Sequence, residues 1–109
     1  MTRHDLLTGA TALAILIGAT GADAATKIQW WHAMGGQLGE KLAQIAANFN
    51  ASQGEYEVEA VYKGSYPETM TAAIAAFRAR EQPHIVQVFE VGTAPMMAAK
   101  GAVYPVYQL

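Results

Sequence analysis

The strongest constraint on the fold is an alternation of strand-like and helix-like segments between residues 27 and 107. In the first helical segment the apolar residues recur at i, i+4, i+7, i+8 and i+11, which is the spacing of one helix face. Helices of this length between successive strands connect parallel strands through crossovers. The sequence therefore predicts an α/β fold, a parallel sheet with flanking helices in the order βαβαβα. The predicted elements are strands over 27–32, 56–62 and 85–89, helices over 37–49 and 93–99, and between them a helix that Ser65 caps and Pro83 follows.

Two features refine this prediction. The run from 85 to 89 is nearly all apolar, as expected of a central parallel strand buried on both faces. The residues from Val103 to Tyr107 suggest a further strand or a sheet edge, which Pro105 interrupts.

The first 24 residues have a different organisation. A weakly basic start, with Arg3, leads into an apolar stretch over residues 10–19, and Ala22-Asp23-Ala24 supplies small residues at a cleavage position. This is the layout of a secretory signal peptide, and the apolar stretch is about half the roughly 20 residues that a membrane-spanning helix needs. We expect residues 1–24 to be a signal peptide that directs export to the periplasm.

Composition narrows the function further. With seven Lys and Arg against nine Asp and Glu, the chain lacks the basic excess of an electrostatic nucleic-acid binder. The absence of cysteine excludes disulfides, thiolate nucleophiles and zinc–thiolate sites. A domain of about 85 residues without such staples is marginal in stability. We therefore expect the 109 residues to be a fragment of a longer protein.

Candidate ligand-binding residues follow the predicted strands, because ligands of open parallel sheets bind outside the carboxyl ends of the strands. Glu90 directly follows the most apolar strand, and its carboxylate could accept hydrogen bonds from ligand hydroxyls or simply be a solvated loop residue. Tyr66 begins the second helix. It could stack on a ligand and donate its hydroxyl proton, or form a hydrophobic staple with Met70.

Other groups of residues give weaker indications of function. His32 and Glu90 both follow strands and could form an acid–base pair, but no nucleophile motif accompanies them. The histidines lack metal-ligand spacing, and the glycines at 35, 36 and 39 lack the lysine of a phosphate-binding loop. We predict no catalytic residue, no metal and no cofactor.

Three blocks of sequence carry a family resemblance: Trp30–Gly36 (WWHAMGG), Tyr62–Tyr66 (YKGSY) and Gln87–Ala94 (QVFEVGTA). The first block resembles the start of the solute-binding proteins of sugar-type ABC importers (extracellular solute-binding protein family 1). The other two are more specific and resemble the branch of that family that binds sn-glycerol-3-phosphate.

The resemblance implies a two-lobe protein that closes on its ligand about a hinge, with residues 25–109 as the N-terminal part of the first lobe. It implies that Tyr66 and Glu90 contact the ligand, and that the phosphate-binding groups lie outside this chain. The implied function is capture of sn-glycerol-3-phosphate, or of a glycerophosphodiester, by a monomeric periplasmic protein that delivers it to a membrane permease. A sugar or oligosaccharide receptor of the same fold and a small secreted hydrolase remain the alternatives.

Overall fold

The computed structural model describes residues 23–109. The predicted signal peptide lies outside the described residues except for its last two positions. Within these residues three β-strands alternate with three α-helices, and 3-10 turns cover Glu90–Gly92 and Val106–Gln108. The elements are β1 (Thr26–His32), α1 (Gly36–Ser52), β2 (Tyr56–Tyr62), α2 (Tyr66–Ala79), β3 (Ile85–Val86) and α3 (Thr93–Ala98).

The sheet has the strand order β2-β1-β3, and both strand pairs are parallel. Strand β2 runs in register with β1 from Thr26 opposite Tyr56 to His32 opposite Tyr62. The predicted α/β fold is therefore confirmed. The prediction that the third strand is central is wrong within the described residues, because β1 occupies the centre and Ile85 on β3 is 47% exposed.

Local signals explain where α2 begins and ends. The Ser65 N–H donates to the Glu68 carboxylate at 2.6 Å, which is the Glu half of a capping box, and the Ser65 hydroxyl donates to the same carboxylate at 2.8 Å. These bonds, the backbone one foremost, lower the pKa of Glu68. At the other end Arg80 adopts a left-handed conformation with φ 61°, and its N–H donates to the last carbonyls of the helix.

The third strand is shorter than predicted, and Gln87 explains why. The Gln87 N–H donates to the carbonyl of Trp31 at 2.9 Å, as in a parallel ladder. The next ladder bond would run from the Ala33 N–H to the Gln87 carbonyl, but Ala33 donates instead to the Gln87 side-chain oxygen at 3.0 Å. The side-chain oxygen of Gln87 thus replaces the Gln87 carbonyl as the acceptor, so the pairing of β3 with β1 ends after Val86.

The strand suggested over residues 103–107 is also wrong, because a 3-10 turn covers Val106–Gln108. Pro105 immediately precedes that turn and cannot donate a ladder hydrogen bond.

The described residues bury few large apolar side chains. Ala46 on α1 and Ala73 on α2 are buried, whereas Ile45, Phe49 and Ile74 on the same helices are exposed. A cleft of about 790 Å³ lies between α2, β3 and α3. Its apolar lining includes Ile74, Phe77, Val86, Met96 and Val103. Among residues 23–109, no helix has the length and apolar character that a membrane crossing requires.

Candidate functional site

The loops that follow the three strands meet at the carboxyl edge of the sheet. Lys63, just after β2, donates its N–H to the carbonyl of His32 at the end of β1, at 2.9 Å. Gln87, just after β3, donates its N–H to the carbonyl of Trp31 at the same distance. These bonds fix the starts of the second and third loops against the central strand, so that side chains from separate segments share one edge.

Gln87 connects all three segments. Its side-chain oxygen accepts the N–H of Ala33, which follows β1, at 3.0 Å. Its side-chain nitrogen donates to the hydroxyl of Tyr66, the first residue of α2, at 3.4 Å. The half-buried amide therefore bridges the segments after β1 and β2 from a position just after β3.

Tyr66 is half-buried at the amino end of α2. Its ring packs against Phe89, with ring centroids 5.4 Å apart and an interplanar angle of 33°. Phe89 directly precedes Glu90 in the sequence, so this ring contact ties the segment that carries Glu90 to the first residue of α2. The structure thus gives Tyr66 an aromatic partner in Phe89, and the hydrophobic staple with Met70 stays a prediction.

Glu90 is exposed and begins the 3-10 turn that follows the third loop. The turn is closed by a hydrogen bond from the Gly92 N–H to the Phe89 carbonyl at 2.9 Å. Within residues 23–109 the Glu90 carboxylate has no hydrogen-bond donor or cationic partner, so it is open to solvent at the carboxyl edge. The structure brings Tyr66 and Glu90 to one edge, and their contact with a ligand stays a prediction.

His32 belongs to the core and not to an open site. It is only 4% exposed, and its ring lies 6.0 Å from the rings of both Trp30 and Tyr62. The Met34 N–H donates to its Nδ1 at 3.3 Å, which requires that nitrogen to be unprotonated. Burial lowers the pKa of His32, because it disfavours the charged form of the ring. The alternative of a His32–Glu90 acid–base pair therefore lacks an accessible histidine.

Lys63 and Trp31 form a further contact at this edge. The Lys63 ammonium lies 4.0 Å from the centre of the Trp31 ring, a cation–π arrangement that holds the charge beside β1. As the alternation of a strand requires, the two adjacent tryptophans have different partners, Lys63 for Trp31 and the His32 ring for Trp30. Among the described residues no group of three or more His, Asp or Glu side chains could hold a metal ion.

Gln87 is the residue of this edge to which sequence reasoning gave no role. One signal was visible, because Gln87 is the only polar residue in the apolar run from 85 to 89. An amide carried out of a buried strand must find hydrogen-bond partners. The identity of those partners, Ala33 and Tyr66, depends on the register of β3 against β1, which the sequence pattern does not encode.

Fold and site together define the class: an α/β protein with polar side chains gathered at the carboxyl edge of a parallel sheet, where such folds bind ligands. No family model matches the chain. Curated relatives are more particular. The chain is 50% identical over 88 residues to the sn-glycerol-3-phosphate-binding periplasmic protein UgpB of Rhizobium meliloti (strain 1021), which covers 81% of this chain and 20% of the relative.

Two more relatives carry the same name. The protein of Brucella abortus (strain 2308) is 48% identical over 101 residues, covering 93% of this chain and 23% of the relative. That of Pectobacterium atrosepticum is 44% identical over 106 residues, covering 97% of this chain and 24% of the relative. The chain thus spans about a fifth to a quarter of the length of the curated relatives it matches.

These relatives confirm the resemblance that the sequence blocks predicted, to the sn-glycerol-3-phosphate-binding branch of the solute-binding proteins. Because the relatives are periplasmic binding proteins by name, the predicted periplasmic localisation is confirmed. The same relatives confirm the prediction that the chain is not an enzyme.

Proposed function

We propose that this chain contributes to a periplasmic binding protein that captures sn-glycerol-3-phosphate, or a glycerophosphodiester, and delivers it to the membrane permease of an ABC importer. The observation that carries the proposal is the 44% identity to a protein of that name over 106 residues. This match covers 97% of the chain and therefore includes both Tyr66 and Glu90. The binding protein would act as a monomer.

The chemistry at the carboxyl edge supports this ligand. The exposed carboxylate of Glu90 accepts hydrogen bonds, and the hydroxyl of Tyr66 can donate one. A glycerol moiety offers hydroxyls that both donate and accept, which suits such a pair. The same carboxylate repels a phosphate, so we propose that the phosphate is held by groups of the protein outside this chain.

We further propose that residues 25–109 are the N-terminal part of the first of two lobes. Two observations support this. Strand β3 is an edge strand with a 47% exposed Ile85, although its sequence has the apolar character of a buried strand. The apolar cleft between α2, β3 and α3 is also open to solvent, so further chain of a longer protein would find an apolar surface to cover there. Ligand capture would then proceed by closure of the two lobes about a hinge.

The test is calorimetric titration of sn-glycerol-3-phosphate into the full-length natural protein that contains these residues. Glu90→Gln should weaken binding by about tenfold to a hundredfold, because hydrogen bonds to a charged acceptor contribute about 1.5–3 kcal/mol. Glu81→Gln is the matched control: it removes the same charge from an exposed residue at the opposite edge of the sheet and should leave the affinity unchanged.

Three outcomes would contradict the proposal. Absence of sn-glycerol-3-phosphate binding by the unsubstituted protein would refute the ligand. Tighter binding of maltose-type sugars in competition would favour a sugar receptor of the same fold. An equal loss in Glu90→Gln and Glu81→Gln would show that the effect is one of overall charge and not of a contact at the carboxyl edge.

A further inference from the structure

The orientation of the Gln87 amide is determined by its neighbours. A backbone N–H can only donate, so the Ala33 N–H must face the oxygen of the Gln87 amide, and the two atoms are 3.0 Å apart. The amide nitrogen then faces the hydroxyl of Tyr66 at 3.4 Å. The opposite rotamer would bring two donors together at Ala33, which leaves both unsatisfied.

This orientation assigns a direction to the Tyr66 hydroxyl. The Gln87 nitrogen carries only protons, so the Tyr66 oxygen accepts from it and the Tyr66 proton is free to be donated elsewhere. At 3.4 Å the hydrogen bond is long, so it contributes little to the stability of the fold.

Gln87 is well anchored for this role. Its backbone N–H is bound to the Trp31 carbonyl at 2.9 Å, which fixes the start of its side chain against the central strand. The Tyr66 ring is held separately by Phe89, at 5.4 Å between ring centroids. The amide and the phenol are therefore each positioned by a second contact, and their relative orientation is not left to free rotation.

We propose that Gln87 is a positioning residue that makes Tyr66 a hydrogen-bond donor toward the ligand. This inference rests on the proposed function. Tyr66 then donates a hydrogen bond to the ligand while the open carboxylate of Glu90 accepts one, so this edge presents one hydrogen-bond donor and one acceptor. The matching ligand group is an alcohol, which can accept from Tyr66 and donate to Glu90. A carbonyl or ether could only accept, and an ammonium could only donate.

The test exchanges the donor at residue 87 for an acceptor. In Gln87→Glu the carboxylate still accepts the Ala33 N–H, but its second oxygen attracts the Tyr66 proton away from the ligand. In the full-length natural protein we expect the affinity for sn-glycerol-3-phosphate, measured calorimetrically, to fall about tenfold. In a Tyr66→Phe background the loss should be clearly smaller, because no hydroxyl is left to orient and only the repulsion between the new carboxylate and the phosphate of the ligand remains.

The paired measurement separates positioning from a structural role. An equal loss of affinity with and without the Tyr66 hydroxyl would overturn the inference, as would an unchanged affinity in Gln87→Glu alone. Should Gln87→Glu fail to fold, Gln87→Met removes the amide without adding charge, and its loss must disappear in the Tyr66→Phe background.

A ligand-free measurement keeps this inference distinct from the proposed function. If the unsubstituted protein binds no sn-glycerol-3-phosphate, the ligand assignment fails, but the Gln87–Tyr66 contact can still be examined by nuclear magnetic resonance. Tyr66→Phe should shift the side-chain amide resonances of Gln87, and Tyr104→Phe, at an exposed tyrosine, should not. Unshifted Gln87 resonances in Tyr66→Phe would overturn the inference without reference to any ligand.

Discussion

Adding one methyl group at Gly92 would test the packing that supports the site. Gly92 is buried with φ −84° and ψ −13°, a conformation that alanine adopts without strain. A Cβ at this position would lie 2.9 Å from Cε1 of Phe89 and 3.0 Å from Cγ1 of Val88, whereas ordinary contacts begin near 3.4 Å. The substitution would therefore press on the aromatic ring against which Tyr66 packs.

The expected cost follows from two opposing effects. To restore ordinary contact, the Phe89 ring must move by about half an ångström, and overpacking of this kind destabilises by about 1–3 kcal/mol. Replacing glycine also restricts the unfolded chain, which stabilises by about 0.4–1 kcal/mol. We expect Gly92→Ala to lower the free energy of unfolding by about 1–2 kcal/mol.

Urea denaturation of the full-length natural protein measures this difference. Gly54→Ala is the control, because a Cβ at that exposed glycine meets nothing within 4 Å and its φ is not positive. The control should be neutral or stabilised by up to about 1 kcal/mol. If Gly92→Ala were as stable as Gly54→Ala, the ring of Phe89 would not be held rigidly, and the argument that it positions Tyr66 would fail.

Two further predictions concern the framework. Asn50→Ala should cost about 1–3 kcal/mol, because the Asn50 side chain both donates to and accepts from the backbone of Val58 on the edge strand, at 2.9 and 2.7 Å. The control is Asn48→Ala, at an exposed position on the same helix, and both variants are compared by urea denaturation. Equal stability of the two variants would contradict this prediction. His32 has a lowered pKa when folded, so stability present at neutral pH should be lost as the pH falls below about 6.5, the unfolded value. The free energy of unfolding should differ less between pH 7 and pH 5 in His32→Gln than in the unsubstituted protein. An equal difference in both proteins would contradict the role given to His32.

Periodicity made the order of elements predictable. Strand β2 occupies the predicted residues 56–62, because its alternating side chains match a half-buried strand. The start of α2 was equally visible, since Ser65 and Glu68 have the spacing of a capping box and bond to each other as expected. Such signals are local, and each is determined by residues a few positions apart.

The position of β3 in the sheet was not predictable in the same way. An apolar run reports that a segment is suited to burial on both faces, but it does not say which strands lie beside it. Within the described residues β1 is central, although Gln29 and His32 make its sequence more polar than that of the third run. Neighbour order depends on the crossover connections, which involve contacts between residues far apart in sequence.

The candidate site shows the same division. Tyr66 and Glu90 could be singled out because each directly follows a predicted strand or turn. Gln87 could be noticed as polar, but its bonds to Ala33 and Tyr66 span 54 and 21 residues. The sequence pattern did not reveal that the Gln87 side-chain oxygen, and not the Gln87 carbonyl, accepts the Ala33 N–H. This replacement of one acceptor by another ends β3 and leaves the amide nitrogen to Tyr66.

This exchange of acceptors at Gln87 links the fold to the proposed orientation of the ligand. If the Gln87 carbonyl accepted the Ala33 N–H, the strand would continue, and the side-chain oxygen of Gln87 would have no backbone N–H to hold it in place. Because the side chain accepts it instead, its nitrogen faces the phenol and the Tyr66 proton points elsewhere. Under the proposed function, the donor at Tyr66 and the carboxylate of Glu90 admit the alcohol end of the ligand and exclude its phosphate. A phosphate directed away from this edge leaves room for a substituent on it, so the geometry of this chain is as compatible with a glycerophosphodiester as with sn-glycerol-3-phosphate.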